Sequence, residues 1–228
     1  MTAEGSVFVV GADADVVVVG LGALGSSAAY WLARRGVKVV GLEQFELGHV
    51  RGASHDHSRI IRRSYHTAHY ARITGDAYAA WRDLEADSGE SLIKVTGGVD
   101  LYPAGSFIDP LTYTAALTEA RVPFEWIDAA EVRRRWPAFA KGTLMHGDVM
   151  GIATDDAGIA PAARGTAVMQ QMAVQHGAEL RPNTPVRSIR PVGGEVEVVT
   201  EAGVIRAGHV VLATDAWTAK ILRTIDIE

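Results

Sequence analysis

The chain has 228 residues, of which 48% are hydrophobic and 21% are charged, a composition typical of a globular protein with a sizeable core. Its net charge of −5 provides neither a basic stripe for nucleic acid nor a polybasic membrane anchor, so we expect neither partner. The sequence contains no cysteine, which excludes disulfides and zinc–thiolate sites and is compatible with a reducing cytoplasm. No apolar run approaches the roughly 20 residues that span a bilayer. We therefore expect a cytoplasmic protein.

The most informative segment is a buried-strand pattern followed by a glycine-rich turn and a helical pattern. Valines at 16–19 predict a parallel strand that is buried on both faces, and residues 23–35 carry apolar side chains at helical spacing. Residues 20–25 between them read Gly-Leu-Gly-Ala-Leu-Gly, and a second apolar strand at 37–42 leads to Glu43. In this context the turn indicates a dinucleotide-binding unit. A tight strand-to-helix turn in some other α/β protein is the alternative.

The three glycines of the turn and Glu43 have separate roles in such a site. Gly20 permits the tight turn, Gly22 lets the backbone approach a pyrophosphate, and Gly25 allows the helix to pack closely on the strand. The helix N-terminus adds N–H groups and partial positive charge. A carboxylate at Glu43 accepts hydrogen bonds from ribose hydroxyls and repels the extra phosphate of NADP. We therefore expect FAD or NAD rather than NADP.

Helical and strand patterns alternate along the rest of the chain, after a polar loop at 44–61. The pattern predicts helices at 60–86, 110–120, 129–136 and 159–176, and strands at 92–101, 123–127, 144–150 and 178–181. Short strands joined by glycine turns predict a β-meander at 186–191, 195–200 and 204–207. A buried strand at 209–214 then leads into a helix that starts near Asp215.

The meander decides between two kinds of dinucleotide fold, because a plain NAD-binding fold has a helix in its place. We therefore expect an α/β protein with an FAD-binding, Rossmann-like domain of the glutathione-reductase type, and with part of a second, α+β substrate domain. The FAD-binding domain would be discontinuous. Its segments are predicted at 13–89 and 151–228, with 90–150 as the inserted part of the substrate domain.

Residues 52–65 resemble a signature of FAD-dependent amine oxidases. Their sequence, Gly-Ala-Ser-His-Asp-His-Ser-Arg-Ile-Ile-Arg-Arg-Ser-Tyr, is similar to the Gly-Ser-His-His-Gly-Asp-Thr-Arg-Ile-Ile-Arg-His-Ala-Tyr segment of the monomeric sarcosine oxidase and N-methyltryptophan oxidase family. Segments 133–137 (Arg-Arg-Arg-Trp-Pro) and 216–220 (Ala-Trp-Thr-Ala-Lys) resemble two further signatures of that family. The resemblance spans nearly the whole chain.

This resemblance implies an oxidoreductase that uses FAD. The family removes a hydride equivalent from the C–N bond of a secondary amino acid, such as an N-methyl amino acid like sarcosine. The resulting imine hydrolyses, and dioxygen accepts the electrons to give hydrogen peroxide. Because this chain has no cysteine, FAD would be held noncovalently.

The resemblance also implies roles for individual residues. Ser58 and Arg59 would lie near the flavin ring, and Arg62 would be one half of a clamp on the substrate carboxylate, because a planar guanidinium binds a carboxylate bidentately. The candidate catalytic residues are Arg59, Arg62 and His55. The candidate cofactor-binding residues are Gly20, Leu21, Gly22, Ala23, Leu24, Gly25, Glu43, Gln44, Ser58, Arg59, Val186, Ala213 and Trp217. Helix-surface arginines and a solvated loop histidine are the plainer alternatives.

Two features of the sequence call for a separate interpretation. Asp215 stands where relatives carry glycine, and it either brings negative charge near a diphosphate or caps the following helix. Five histidines have spacings that can place two imidazoles on one ion, at positions 49, 55, 57, 66 and 69. No cysteine or regular carboxylate spacing accompanies them, so we expect no metal site.

Family members continue beyond the position of Glu228. In them, the following part supplies the rest of the substrate-domain sheet, a second flavin contact, the covalent cysteine, and lysines that act on oxygen and on the substrate carboxylate. The resemblance thus implies a complementing chain as a partner. A dehydrogenase of another small substrate with FAD or NAD, and a non-catalytic nucleotide-binding remnant, are the alternative functions.

Overall fold

The run of valines lies in a central strand of a six-stranded sheet. A computed structural model describes residues 12–141 and 149–225 of the chain. Strand β1 (Ala14–Val19) pairs in parallel with β2 (Val39–Leu42) on one side and with β12 (Gly203–Leu212) on the other. The four valines are between 0% and 7% exposed. A strand flanked on both sides and covered on both faces requires an apolar side chain at every position, which explains the uninterrupted run.

Strand β12 belongs to both halves of this sheet. The sheet has the order β10-β11-β12-β1-β2-β9, where β9 is Glu179–Arg181, β10 is Val186–Val192 and β11 is Glu195–Thr200. The first part of β12 completes the predicted antiparallel meander, and its last part pairs in parallel with β1. Sequence analysis predicted two strands here, but they form one. Gly208 keeps the strand continuous, because a Cβ atom there would lie 3.3 Å from the backbone oxygen of Asp15.

The chain divides into two compact units. One unit contains the residues up to His57 and from Ala162 onward, and the other is Ser58–Pro161. We call them the first unit and the second unit. The first unit contains the six-stranded sheet, helix α1 (Ala23–Ala33) packed on α5 (Ala162–Gln175), and the short helix α6 (Thr218–Leu222). Its core joins β1, β2 and the meander through buried Val, Leu, Ile and Ala side chains.

The second unit contains two three-stranded sheets and three helices. One sheet has the order β3-β8-β4, from Arg59–Ile61, Gly158–Ala160 and Lys94–Val95. The other has the order β5-β7-β6, from Gly98–Pro103, Val149–Thr154 and Glu125–Asp128. The helices are α2 (Ala68–Ser88), α3 (Pro110–Glu119) and α4 (Ala129–Arg135). Helices α3 and α4 begin at Asp109 and Asp128, whose carboxylates accept backbone hydrogen bonds as N-caps.

Two predicted helices were wrong at their N-terminal ends. The helix predicted at 60–86 begins at Ala68, and the helix predicted at 159–176 begins at Ala162. The residues in question form strands β3 and β8, which pair with each other through Ile60 and Ile159. Short apolar runs fit either periodicity, and here pairing between distant segments decides. Of the strand predicted at 144–150, residues 144–148 lie outside the described residues, and β7 begins at Val149.

The compact units change at 57/58 and 161/162, whereas the sequence predicted domain boundaries at 89/90 and 150/151. The difference has a structural reason. Strand β3 pairs with β8, and helix α2 packs against α3, so the segment 58–89 is tied to the second unit. The assignment of the two units to FAD and substrate remains a proposal. Within the described residues, no helix is both long and apolar enough to cross a bilayer.

Candidate dinucleotide site

A cavity of about 560 Å³ opens in the first unit at the carboxyl ends of its central strands. The last residues of β1, β2 and β12, which are Val19, Leu42 and Leu212, all line it. In open parallel sheets, ligands bind outside the carboxyl ends of the strands, where the loops diverge. The cavity therefore lies where the fold itself predicts a ligand, and its volume is within the usual range for ligand sites.

The glycine turn at the cavity tolerates no side chains at its two ends. Gly20 has a φ of +89°, and a Cβ atom there would lie 2.5 Å from the backbone oxygen of Ala213. At Gly25, a Cβ atom would lie 1.8 Å from the backbone oxygen of Gly20. These contacts press helix α1 onto the turn and the turn onto the end of β12. The predicted roles of Gly20 in the turn and Gly25 in close packing are thus visible in the backbone geometry.

The N-terminus of α1 faces the cavity. Leu24, in the first turn, is 82% exposed and lines the cavity, as does Gly22. Ser54 Oγ accepts a hydrogen bond of 2.8 Å from the N–H of Ala23, and a Cβ atom at Gly22 would lie 2.9 Å from that same oxygen. The first N–H groups of a helix have no partner within the helix, and they carry partial positive charge toward anions such as phosphate.

Glu43 is buried at the end of β2, with 5% exposure, and its carboxylate is held by backbone donors. Its Oε2 accepts a hydrogen bond from the N–H of Leu21 (2.9 Å), and its Oε1 accepts one from the N–H of Phe45 (3.1 Å). The Nε2 atom of His49 lies 3.3 Å from Oε1. Glu43 thus ties the end of β2 to the glycine turn, and each oxygen keeps lone-pair capacity for a further donor.

Sequence analysis did not identify two polar residues that support this turn. Gln170 on α5 is 7% exposed, and its Nε2 donates a hydrogen bond of 2.8 Å to the backbone oxygen of Leu21. Ser26 Oγ donates to the same oxygen at 2.8 Å. Ser54 was part of the quoted signature without a role of its own. Nothing local marked Gln170, whose contact spans 149 residues of sequence.

Most of the predicted cofactor-binding residues line the cavity. Those that do are Gly20, Leu21, Gly22, Ala23, Leu24, Glu43, Gln44, Val186, Ala213 and Trp217, together with the candidate catalytic residue His55. Gly25 packs behind the turn instead. Phe45 joins the ring of His49 to that of Trp217 by edge-on contacts at centroid distances of 4.9 and 6.4 Å. Ser58, Arg59 and Arg62 belong to the second unit.

Asp215 lines the cavity in a backbone conformation that favours glycine, with a φ of +44°. Its side chain forms no hydrogen-bonded cap on the short 3-10 turn and helix that follow. Of the two interpretations from the sequence, the structure therefore places the carboxylate beside the cavity.

The candidate arginines of the second unit have protein partners. Arg59 is exposed and donates from Nη1 to the backbone oxygen of Ser58 at 2.7 Å. Arg62 Nη1 lies 2.5 Å from Asp100 Oδ1, and its guanidinium lies 5.4 Å from the centroid of the Tyr65 ring. Burial, and then the charge of Asp100, raise the pKa of the nearby Tyr102 hydroxyl well above its usual range, so this phenol remains neutral.

The described residues contain no group of three or more His, Cys, Asp or Glu side chains placed to hold a metal ion. The polar groups at the cavity are instead backbone N–H groups, one buried carboxylate and a helix N-terminus. This donor set suits a nucleotide with hydroxyls and phosphates.

A parallel sheet with this glycine turn, buried acidic residue and cavity defines a dinucleotide-binding protein. Residues 15–227 match the family described as FAD dependent oxidoreductase, and the chain belongs to that family. The predicted family and its cofactor are therefore confirmed: FAD, rather than NAD, is the cofactor of this family. The residues at the cavity fit that group, because the turn and Glu43 provide what its pyrophosphate and ribose need.

Curated relatives include amine oxidases from bacteria and animals. Monomeric sarcosine oxidase of Streptomyces avermitilis is 33% identical over 217 residues, covering 93% of this chain and 54% of that protein. Human peroxisomal sarcosine oxidase is 32% identical over 214 residues, covering 94% and 53%. N-methyl-L-tryptophan oxidase of Yersinia pestis is 26% identical over 217 residues, covering 94% and 57%. The chain spans about half the length of the curated relatives it matches.

Solved structures share the fold. The open form of NikD, an unusual amino acid oxidase essential for nikkomycin biosynthesis, superposes with a TM-score of 0.80 at 29% identity, covering 92% of this chain and 53% of NikD. L-proline dehydrogenase from P. horikoshii has a TM-score of 0.82 at 24% identity, covering 94% and 56%. The predicted fold class is thus confirmed.

Proposed function

We propose that this chain is the FAD-binding portion of an oxidase that acts on the C–N bond of an N-methyl amino acid such as sarcosine. Dioxygen is the electron acceptor and hydrogen peroxide a product. The cavity at the ends of β1, β2 and β12 supports this proposal most directly, because its glycine turn excludes side chains where a pyrophosphate would lie. The names of the relatives, which are sarcosine and N-methyltryptophan oxidases, support the substrate class.

Each part of the site has a proposed task. Bound FAD supplies the electron chemistry, and the protein supplies orientation and electrostatics. Glu43 accepts hydrogen bonds from the adenosine ribose, and the N-terminus of α1 binds the pyrophosphate. Val186 contacts the adenine through its backbone, and Ala213 and Trp217 border the dinucleotide. These assignments rest on the position of each residue at the cavity wall.

The second unit contributes the proposed groups for the reacting end. Ser58 and Arg59 serve the flavin ring, Arg62 binds the substrate carboxylate, and His55 lies beside the ring. A guanidinium suits both tasks because it keeps its charge and presents a planar fork of donors. Since the chain spans about half the length of its relatives, we propose that a further polypeptide segment completes the site.

The test is the visible spectrum of the purified chain, followed by acid precipitation. Yellow colour that passes into the supernatant is the expected result, because the chain offers no cysteine for covalent attachment. Peroxide formation from sarcosine is then measured, with and without a complementing segment. A colourless protein that takes up no added FAD would contradict the proposal.

Glu43→Gln tests the site itself. A glutamine amide turns one N–H toward a backbone N–H, so either Leu21 or Phe45 loses its acceptor. A buried donor left without an acceptor costs about 1–3 kcal/mol. We expect FAD affinity to fall at least about tenfold, measured by flavin fluorescence titration. Glu46→Gln is the matched control, because Glu46 is exposed and does not line the cavity.

A further inference from the structure

Asp100 lies on strand β5, on a face where a carboxylate needs a cation. Strand residues alternate between faces, and Val99 and Leu101 pack into the cluster around Ile127 and Val132. Asp100 therefore shares the opposite face with Tyr102, which packs in the cluster around Leu117 and Ile152. Ile152 is also its cross-strand neighbour on β7. A charge on a largely apolar face is tolerated only when it is paired.

Arg62 supplies this pairing through a single contact. The Nη1 atom of Arg62 lies 2.5 Å from Oδ1 of Asp100, and the two side chains are 37% and 22% exposed. A guanidinium has five N–H donors and a carboxylate has about four acceptor sites, so this one contact leaves most of both groups available. The pair is therefore half-buried yet able to contact a solute.

An approaching ligand encounters both charges of the pair. A simple carboxylate that binds Arg62 adds a second negative charge beside Asp100, and like charges at such distances repel each other. A zwitterionic α-amino acid avoids this cost. Its carboxylate and ammonium are separated by a single carbon, and they meet an arginine and an aspartate that are in direct contact. Every charge then keeps an opposite neighbour.

We propose that Arg62 and Asp100 together select zwitterionic amino acids over simple carboxylates, with the substrate carboxylate on Arg62 and the cationic amine on Asp100. This inference rests on the proposed function, in which Arg62 binds the substrate carboxylate. It adds Asp100 as the specificity-determining partner. The rings of Tyr65 and Tyr102 near the pair also favour an N-methylated cation, because aromatic rings attract alkylated ammonium groups.

The test measures the binding of two non-reacting probes by calorimetry on the full chain supplied with FAD. Methoxyacetate is the simple anion, and glycine betaine is the zwitterion. Asp100→Asn should bind methoxyacetate at least about tenfold more tightly and glycine betaine at least about tenfold more weakly than the unmodified chain. Asp100→Leu, an apolar replacement suited to this face, should behave in the same way and provides a second variant if the first folds poorly.

Glu119→Gln is the matched control. Glu119 also contacts an arginine at 2.5 Å, from Arg72, but both side chains are more than half exposed, at 65% and 55%. It should change neither probe's affinity. The gain for methoxyacetate should disappear when Arg62→Ala is added to Asp100→Asn.

The sign of the two shifts separates the inference from its rivals. If both probes bind more weakly to Asp100→Asn, the aspartate only positions Arg62, and the inference is wrong. Unchanged affinities would also overturn it. A gain for methoxyacetate that survives in the double variant would contradict the assignment of Arg62. Failure of the proposed function is read separately, from the absence of FAD uptake by the unmodified chain.

Discussion

The dinucleotide cavity and the Arg62–Asp100 pair are constructed from different parts of the polypeptide. The cavity depends on backbone groups, on glycines without side chains and on one carboxylate that is 5% exposed. The pair consists of two long side chains that are 37% and 22% exposed and share one contact. The backbone site leaves almost no room for variation, whereas the side-chain site can be retuned by one substitution. We therefore expect cofactor binding to be rigidly specified and substrate choice to be adjustable.

Gly25→Ala gives the largest expected effect and tests the rigid half of this comparison. The new methyl group would lie 1.8 Å from the backbone oxygen of Gly20, so α1 must move away from the turn. We expect a loss of roughly 2–3 kcal/mol in the free energy of unfolding, measured with urea, and loss of FAD retention.

Gly52→Ala is the control for this substitution. Gly52 lines the same cavity, but a methyl group there would meet only a His49 side-chain carbon, at 3.7 Å. We expect its stability to change by less than about 1 kcal/mol. If the two variants were equally stable, the contrast between a rigid turn and its surroundings would not hold.

Asp215→Gly gives an intermediate effect and tests whether the cavity can be tuned by charge. Glycine accepts the φ of +44° without strain, and the substitution removes a negative charge from the cavity wall. We expect FAD affinity to rise by roughly three- to tenfold at low salt and the gain to shrink at high salt, measured by fluorescence titration.

Asp56→Gly separates charge from backbone strain. Asp56 also has a positive φ, of +86°, but it does not line the cavity. Its replacement should leave FAD affinity unchanged, and stability should change by less than about 1 kcal/mol. An equal gain in affinity for both variants would show that backbone freedom, rather than charge, is responsible.

Glu131→Gln gives the smallest effect and concerns the exposed ion pairs of the second unit. Hydrogen bonds from Arg134 and then Arg135 lower the pKa of Glu131 from 4.5 to about 2. A lowered pKa in the folded state stabilises the protein above pH 4.5, and this contribution is lost as the pH falls toward 2. Because water screens these exposed groups, the two proteins should differ little at pH 7.

The measurement is the free energy of unfolding as a function of pH. The unmodified chain should lose slightly more stability than Glu131→Gln between pH 4.5 and 2, and the two curves should meet near pH 2. A steeper acid loss in the variant would reverse the sign and contradict this assignment.

The parts of the fold that the sequence predicted are those specified by neighbouring residues. The valine strand, the glycine turn and helix α1 follow from local periodicity, and so does helix α3, which has an Asp109 cap and a proline at its start. Strands β3 and β8 were not predicted, because each is three residues long and depends on the other.

The same division applies to the site. Glu43 was found because it follows a strand in a recognised order, and it lines the cavity. Gln170 supports the turn from a distant helix, and Asp100 reaches Arg62 across 38 residues of sequence. Polar side chains on unremarkable helices and strands carry no local mark of their partner. Only packing in three dimensions identifies them.

The pairing of β1 with β12 has a consequence for how the protein folds. Val16 is matched with His209, so a strand at the centre of the sheet receives one of its neighbours from a distant part of the chain. During synthesis, β1 and β2 emerge early and present an unpaired apolar edge until the meander has been made. Contacts of this sequence separation close slowly, and exposed edges favour aggregation. The yield of folded protein should therefore depend on how long the nascent first unit is shielded.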